Sequence, residues 1–332
     1  MRVLAADVGG TKTLLSLHDV DDDGFARELR SERYPSRDFA DFADIARRFL
    51  GDDLASVTHA GIGVAGPVER DAEGRETART TNLPWHLDAR ALEASLGLER
   101  VRLVNDFHAV ALGIPRLAPE DVAILQEGHV DPEGPIAILG AGTGLGQAIV
   151  VPVAGRFRVI ASEGGHCDFA PRNDTEIGLL RFLLERHRRV SVERVVSGPG
   201  LCNVYAFVVS TGLAPERPDT RARLDAGEGA AVIGERALAG DDAACMRAVE
   251  LFLDVYGAEA GNLALKVLPK GGLYVAGGVA PRLLPKLREG RFLEAFRTKG
   301  RMSPLLEATR VSVVTNTRVG LFGALHAALS RD

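Results

Sequence analysis

Three glycine clusters carry the first chemical signal: Gly9-Gly10-Thr11, Gly140-Ala141-Gly142-Thr143-Gly144-Leu145-Gly146, and Gly277-Gly278. Phosphate oxygens need several N–H donors converging at close range. Glycine removes the Cβ that would block that approach, and a threonine hydroxyl adds a donor. Any one cluster also reads as a tight turn, but two of the three carry a matched Gly-Thr step. The chain has no Walker G-x-x-x-x-G-K-[ST] sequence. Gly61-Ile62-Gly63-Val64-Ala65-Gly66 fits G-x-G-x-x-G, yet Pro67 and Val68 follow where a dinucleotide site needs a helix start, so it is read as a plain strand end. A bound nucleotide would therefore be held by hairpin loops rather than a P-loop.

The polar residues form a second group. Asn105-Asp106 follows the apolar run Val101 to Val104, at the strand end where α/β sheets bind ligands. Asp106 there is either a general base or a helix N-cap. Ser162 to Pro171 places Glu163, His166 and Asp168 around Gly164-Gly165, and short carboxylate and imidazole groups suit vicinal hydroxyls. The other readings of that stretch are an exposed capped loop and a metal site using Glu163, His166, Cys167 and Asp168, for which no second Cys or His pair completes the set. Glu193, before Arg194 to Gly200, is a ligand or an ordinary surface charge. Trp85, the one tryptophan, sits near Asn82 and is read as core. No G-x-S-x-G elbow and no H-E-x-x-H pair is present.

These groups need a scaffold. Val3 to Val8 reads as a strand leading into the first glycine cluster, Thr13 to Leu17 as its return, and Asp19 to Gly24 as the turn that closes the hairpin. The same design recurs from Ile138 to Val151, which suggests duplicated lobes. Helices are expected over Phe39–Leu50, from an Asp88 cap to about Leu96, from near Phe107, over Thr175–Arg188, over Asp241–Leu268 with a kink near Gly257 or Gly261, and over Val319–Ser330. Strands are expected at His59–Ala65, Leu273–Ala276 and Val311–Val314. The alternation is that of an α/β protein.

Length and composition set the bounds. A chain of 332 residues favours two domains. The net charge of −5 argues against nucleic acid as a partner, which would call for a basic face. Gly134 to Gly155 carries no charge and is long enough to span a bilayer, but its six glycines and two prolines make it strand, loop and strand, so no membrane association is expected. Three widely spaced cysteines, Cys167, Cys202 and Cys245, fit a reducing cytoplasm, and the N-terminus shows no secretory signal.

Taken in order, Asp7-Val8-Gly9-Gly10-Thr11, Asn105-Asp106-Phe107, Gly140 to Gly146, Glu163-Gly164-Gly165-His166, Glu193 to Gly200 and Gly277-Gly278-Val279-Ala280-Pro281-Arg282 resemble the bacterial glucokinase family, within the sugar kinase, actin and heat-shock ATPase superfamily. The resemblance implies a two-lobed, actin-like (ribonuclease-H-like) α/β fold with a deep interdomain cleft. The small domain would be 1–106 completed by 317–332, and the large domain 107–316. It implies ATP-dependent phosphorylation of glucose at O6, the first step of glycolysis. By the same resemblance Asp106 is the base. Asn82, Asn105, Asp106, Glu163, His166 and Glu193 hold the sugar. Gly9, Gly10, Thr11, Gly142, Thr143 and Gly144 hold phosphates, Gly277 and Gly278 flank adenosine, and Asp7 orients Mg²⁺ through water. A cytoplasmic homodimer is also implied.

Lys12 departs from the Asn frequent in close bacterial glucokinases and matches the related ROK sugar kinases, whose zinc-binding cysteine cluster is absent here, as Cys167 is the one cysteine close after His166. No helix-turn-helix precedes Asp7. The alternatives are a kinase for mannose, fructose or an N-acetylhexosamine, a non-catalytic sugar sensor, and an ATPase switch of the actin type.

Overall fold

The computed structural model describes residues 1–21, 25–81 and 83–330. The chain forms two compact units, one of Met1–Pro119, Phe157–Val159 and Asn316–Asp332, the other of Glu120–Arg156 and Ile160–Thr315.

The first unit begins with strands β1 (Arg2–Val8), β2 (Lys12–Val20) and β3 (Ala26–Pro35), then helix α1 (Phe42–Leu50) and β4 (Val57–Val64). A small sheet of β5 (Val68–Arg70), β6 (Glu76–Arg79) and β7 (His86–Asp88) precedes α2 (Ala89–Leu96), β8 (Arg100–Asn105) and α3 (Asp106–Gly113). The main sheet has the order β3-β2-β1-β4-β8, with β1 antiparallel to β2 and parallel to β4. Val3, Leu4, Ala5 and Ala6 are all buried, as expected of a central strand covered on both faces. Asp88 caps α2 by accepting the Ala91 amide, as its position implies, and Trp85 is core. Helix α1 starts at Phe42 rather than Phe39, because Asp41 supplies the cap. Of the turn expected at Asp19 to Gly24, residues 22–24 lie outside the described residues.

The second unit contains β9 (Val122–Gln126), β10 (Ile136–Ala141), β11 (Leu145–Val153) and, apart from residues 157–159, β12 (Arg156–Ser162). Helices α4 (Asp174–Leu184), α5 (Gly198–Ser210), α6 (Pro218–Asp225), α7 (Ala230–Ala239) and α8 (Ala243–Val267) follow. Then come β13 (Leu273–Ala276), α9 (Leu284–Arg288), α10 (Arg291–Arg297), α11 (Ser303–Glu307) and β14 (Val311–Val314). Its sheet runs β12-β11-β10-β13-β14-β9, again a hairpin (β10–β11) joined to parallel strands (β10, β13, β14). The repeated design thus matches at the level of strand order. The uncharged stretch 134–155 is this hairpin, and among the described residues no helix is long and apolar enough to cross a membrane. Helix α8 is unbroken where a kink was expected. Gly257 and Gly261 instead admit α10, and a Cβ on Gly261 would lie 2.6 Å from the Phe296 carbonyl oxygen. Helix α4 stops at Leu184 because the charged run Glu185 to Arg189 has no apolar face to bury.

The last helix, α12 (Val319–Leu329), packs on β1, β4 and α3 of the first unit. It lies so close that a Cβ on Gly61 would strike the Ala324 carbonyl.

Candidate active site

In the first unit, Asp7 stands next to the end of β1 and pairs with Gly63 on β4. Burial pushes the Asp7 carboxyl up to about 6; the charge of Asp106 adds to the rise and Lys12 opposes it. β8 runs parallel to β4 and delivers Asn105, with α3 starting at once. The cap of α3 is Asn105, not Asp106. Its Oδ1 accepts the amides of Phe107 (3.0 Å) and His108 (3.2 Å), and its Nδ2 donates to the Gly66 carbonyl at 3.0 Å. Asp106 is thereby released from capping duty. Its Oδ1 accepts the Phe107 amide at 2.8 Å. One side of the residue is open to solvent, yet the protein packed on its other sides pushes its carboxyl up. Two neighbouring carboxylates, one of them partly buried and reluctant to ionise, are hard oxygen donors that suit a divalent cation such as Mg²⁺.

The turn from β1 to β2 carries Gly9, Gly10 and Thr11, with Gly9 donating to the Lys12 carbonyl at 3.0 Å. Buried Ser36 pins this turn. Its amide donates to Thr11 O (3.1 Å), its hydroxyl donates to Gly9 O (2.8 Å), and Thr13 Oγ1 lies 2.9 Å from its Oγ. No motif marked Ser36; only the β3 end that returns beside the turn brings it there. Asn82 lies outside the described residues.

In the second unit the glycine loop is shorter than the sequence suggested. β10 extends through Ala141 and β11 resumes at Leu145, leaving Gly142-Thr143-Gly144 as the turn. Gly142 donates to Gly144 O at 2.8 Å, and Gly198 donates to Gly142 O at 2.7 Å. Ala141 just before it is held on both sides. Its amide donates to the Tyr256 hydroxyl at 3.1 Å, and its carbonyl accepts the Val279 amide at 3.2 Å. Gly277, at φ 81° after β13, lies against Ala141, where a Cβ would sit 2.5 Å from the carbonyl oxygen. The structure therefore brings Gly142–Gly144 and Gly277-Gly278 to the same sheet end.

Beside them stands the turn Gly164–His166, backed by β11: a Cβ on Gly164 or Gly165 would collide with Gln147 or Leu145. His166 lies between two carboxylates, its Nε2 3.8 Å from Glu163 Oε2 and its Nδ1 4.0 Å from Glu193 Oε1. The Glu163 side chain is 92% exposed and that of Glu193 27%. Glu163, His166 and Glu193 are thus grouped, whereas Asp168 is not: Arg189 takes it in an ion pair at 2.6 Å and also donates to the His166 carbonyl. Sequence reasoning missed Arg189 and Gln147. Gln147 is buried and donates to buried Glu259 at 2.8 Å, so α8 supports this turn through β11. Neither has a motif of its own. A metal site at Glu163, His166, Cys167 and Asp168 is not assembled, and among the described residues no cluster of three or more His, Cys, Asp or Glu could hold a metal ion.

With this geometry in view, the comparisons are specific. A family model described as Glucokinase matches residues 4–331. The chain is 44% identical to a glucokinase of Nostoc sp. over 97% of both chains. It is 38% identical to a glucokinase of Yersinia pestis over 97% of this chain and 94% of that one. A crystal structure of glucokinase from an Antarctic psychrotroph, 30% identical, superposes with a TM-score of 0.84 over 99% of this chain and 98% of that one. Each unit here is an α/β body built on the same strand order, with one glycine turn at the end of its hairpin. The chain belongs to the glucokinase family and has its two-lobed, actin-like fold.

Proposed function

We propose that the protein transfers the γ-phosphoryl group of ATP to O6 of glucose, giving glucose 6-phosphate and ADP, the ATP:D-glucose 6-phosphotransferase reaction (EC 2.7.1.2). The observation that carries this is the division of labour at the end of β8: Asn105 caps α3 and leaves Asp106 with an open side. The O6 oxygen attacks the γ-phosphorus, the bond from that phosphorus to the β–γ bridging oxygen breaks, and the O6 proton passes to an Asp106 carboxylate oxygen. Such a transfer needs positioning and charge stabilisation more than covalent chemistry. General-base help of this kind contributes about 10²–10⁴-fold.

The remaining residues bind and orient. Glu163, His166 and Glu193 take sugar hydroxyls, and Asn105 and Asn82 join them. The turns Gly9–Thr11 and Gly142–Gly144 offer donors to phosphate oxygens, and Gly277-Gly278 flanks the adenosine. Asp7 would hold Mg²⁺ through water. When bound, that ion offsets charge on the phosphates. In the same proposal the enzyme is a cytoplasmic homodimer feeding glycolysis.

The test is ADP release with ATP and a panel of hexoses, with and without Mg²⁺. Glucose should give the highest kcat/KM, and turnover should require Mg²⁺. A higher value for mannose, fructose or an N-acetylhexosamine would reassign the substrate. Binding of glucose without ADP release would make the protein a sensor, and sugar-independent hydrolysis would make it an ATPase switch.

A further inference from the structure

Glu193 has two oxygens with different duties. Oε2 accepts the amide of Leu145 at 2.9 Å, the residue at which the Gly142–Gly144 turn rejoins β11. Gly144 must be glycine for this contact, since a Cβ there would lie 2.5 Å from Oε2. Oε1 lies 4.0 Å from His166 Nδ1, on the side of the turn assigned to the sugar. The backbone of the same segment is fixed as well. Ser197 donates from Oγ to the Glu193 carbonyl at 2.7 Å and accepts the Gly200 amide at 2.9 Å. Gly198 then donates to Gly142 O at 2.7 Å. The stretch 193–198 therefore holds the glycine turn at its entry through a backbone amide and at its exit through a side chain.

A carboxylate is one rigid plane. When Oε1 shifts toward a sugar hydroxyl, Oε2 moves with it, and the amide that defines the end of the glycine turn must follow or lose its acceptor. A charge-assisted hydrogen bond to a backbone amide resists that loss. We propose that Glu193 is a positioning residue for the Gly142–Gly144 turn as well as a sugar ligand, so that occupancy of the sugar turn and of the phosphate turn are coupled through this one carboxylate. The proposal rests on the sugar and phosphate assignments made under Proposed function. Coupling of this kind is reciprocal: each ligand changes the affinity for the other by the same factor.

Calorimetric titration of the full chain with glucose, and separately with the Mg²⁺ complex of AMPPNP, each with and without the other ligand, tests it. In the parent protein each ligand should tighten the other by about 5-fold or more. Glu193→Ala should weaken AMPPNP about 5-fold even with no sugar present. Gly144→Ala should weaken glucose by a similar factor with no nucleotide present, and both should bring the coupling factor close to 1. Glu193→Gln keeps an oxygen for the Leu145 amide. It should retain the sugar-free AMPPNP affinity while losing glucose affinity, and its near-identical shape guards against a folding artefact. Ligands that bind the parent independently, or variants that each affect only their own ligand, overturn the coupling and leave the kinase assignment standing. A parent protein that binds neither ligand overturns both.

Discussion

At Asp106 the side chain is exposed on one side, released from capping and raised by its surroundings. Asp106→Asn keeps the shape and removes the base. It should lower kcat at least ~10²-fold while glucose Kd stays within about tenfold. Isothermal titration beside a coupled assay checks the pair, and near-normal kcat would remove Asp106 from the base role. Asp7 makes a separate prediction about stability. Its carboxyl sits at about 6 against an ordinary 3.8. The folded state therefore favours the protonated form. The resulting stabilisation is complete below pH ~4 and is lost as pH rises through 6. Asparagine stays neutral throughout. Asp7→Asn should thus gain stability relative to the parent between pH 4 and 8, by up to ~3 kcal/mol at the full shift and less with the solvent access that Asp7 keeps. Urea melts across that range without ligands would expose the trend; a pH-independent difference would contradict it. The residues legible in the sequence were those inside local motifs. Ser36, Gln147 and Arg189 were not, because each acts on a segment distant in the chain and its type alone says nothing.

Among the elements, the two hairpins were visible because apolar strands flank small-residue turns, and the cap at Asp88 follows from acceptor chemistry at a helix start; the same chemistry at Asp41 was missed because the apolar spacing runs back to Phe39. Strand β3 was missed: seven of its residues, 27–33, are exposed in a row, and an edge strand wet on both faces carries no apolar alternation to announce itself. The small sheet β5-β6-β7 was missed because its strands are too short for a period to show. The expected kink in α8 failed for a different reason. A glycine pair inside a helix can mean bending or close packing, and only the position of α10 decides. The end of α8 offers a clean experiment. Leu268 occupies a left-handed conformation at φ 51° and is half exposed. Glycine there relieves the steric cost with little lost burial, so Leu268→Gly should stabilise the protein by ~1 kcal/mol. Thermal melts would show a higher Tm; a lower one would mean that the leucine side chain contributes more by packing than the backbone strain costs.

On the scale of the whole molecule, the first unit is discontinuous in sequence: its sheet is covered in part by α12, which arrives from the far end of the chain. Leu321, Ala324 and Ala328 of that helix are buried. Ending the chain after Thr315 should leave β1, β4 and β8 poorly protected against hydrogen exchange, while β10, β13 and β14 of the second unit keep their protection. Uniform protection in the truncated chain would show that the helix is dispensable. The sequence hinted at this closure only through resemblance, since an apolar helix near a terminus does not say which sheet it serves.

That topology bears on how the protein is made. Between the end of α3 and the start of α12 lie about 200 residues. At roughly 5–20 residues per second, a ribosome needs on the order of 10–40 s to cross them. For that interval the nascent amino-terminal third waits without its lid, showing apolar strand surface to solvent. Slow decoding along the intervening message should therefore lower soluble yield, and holdase chaperones that shield nascent chains should raise it.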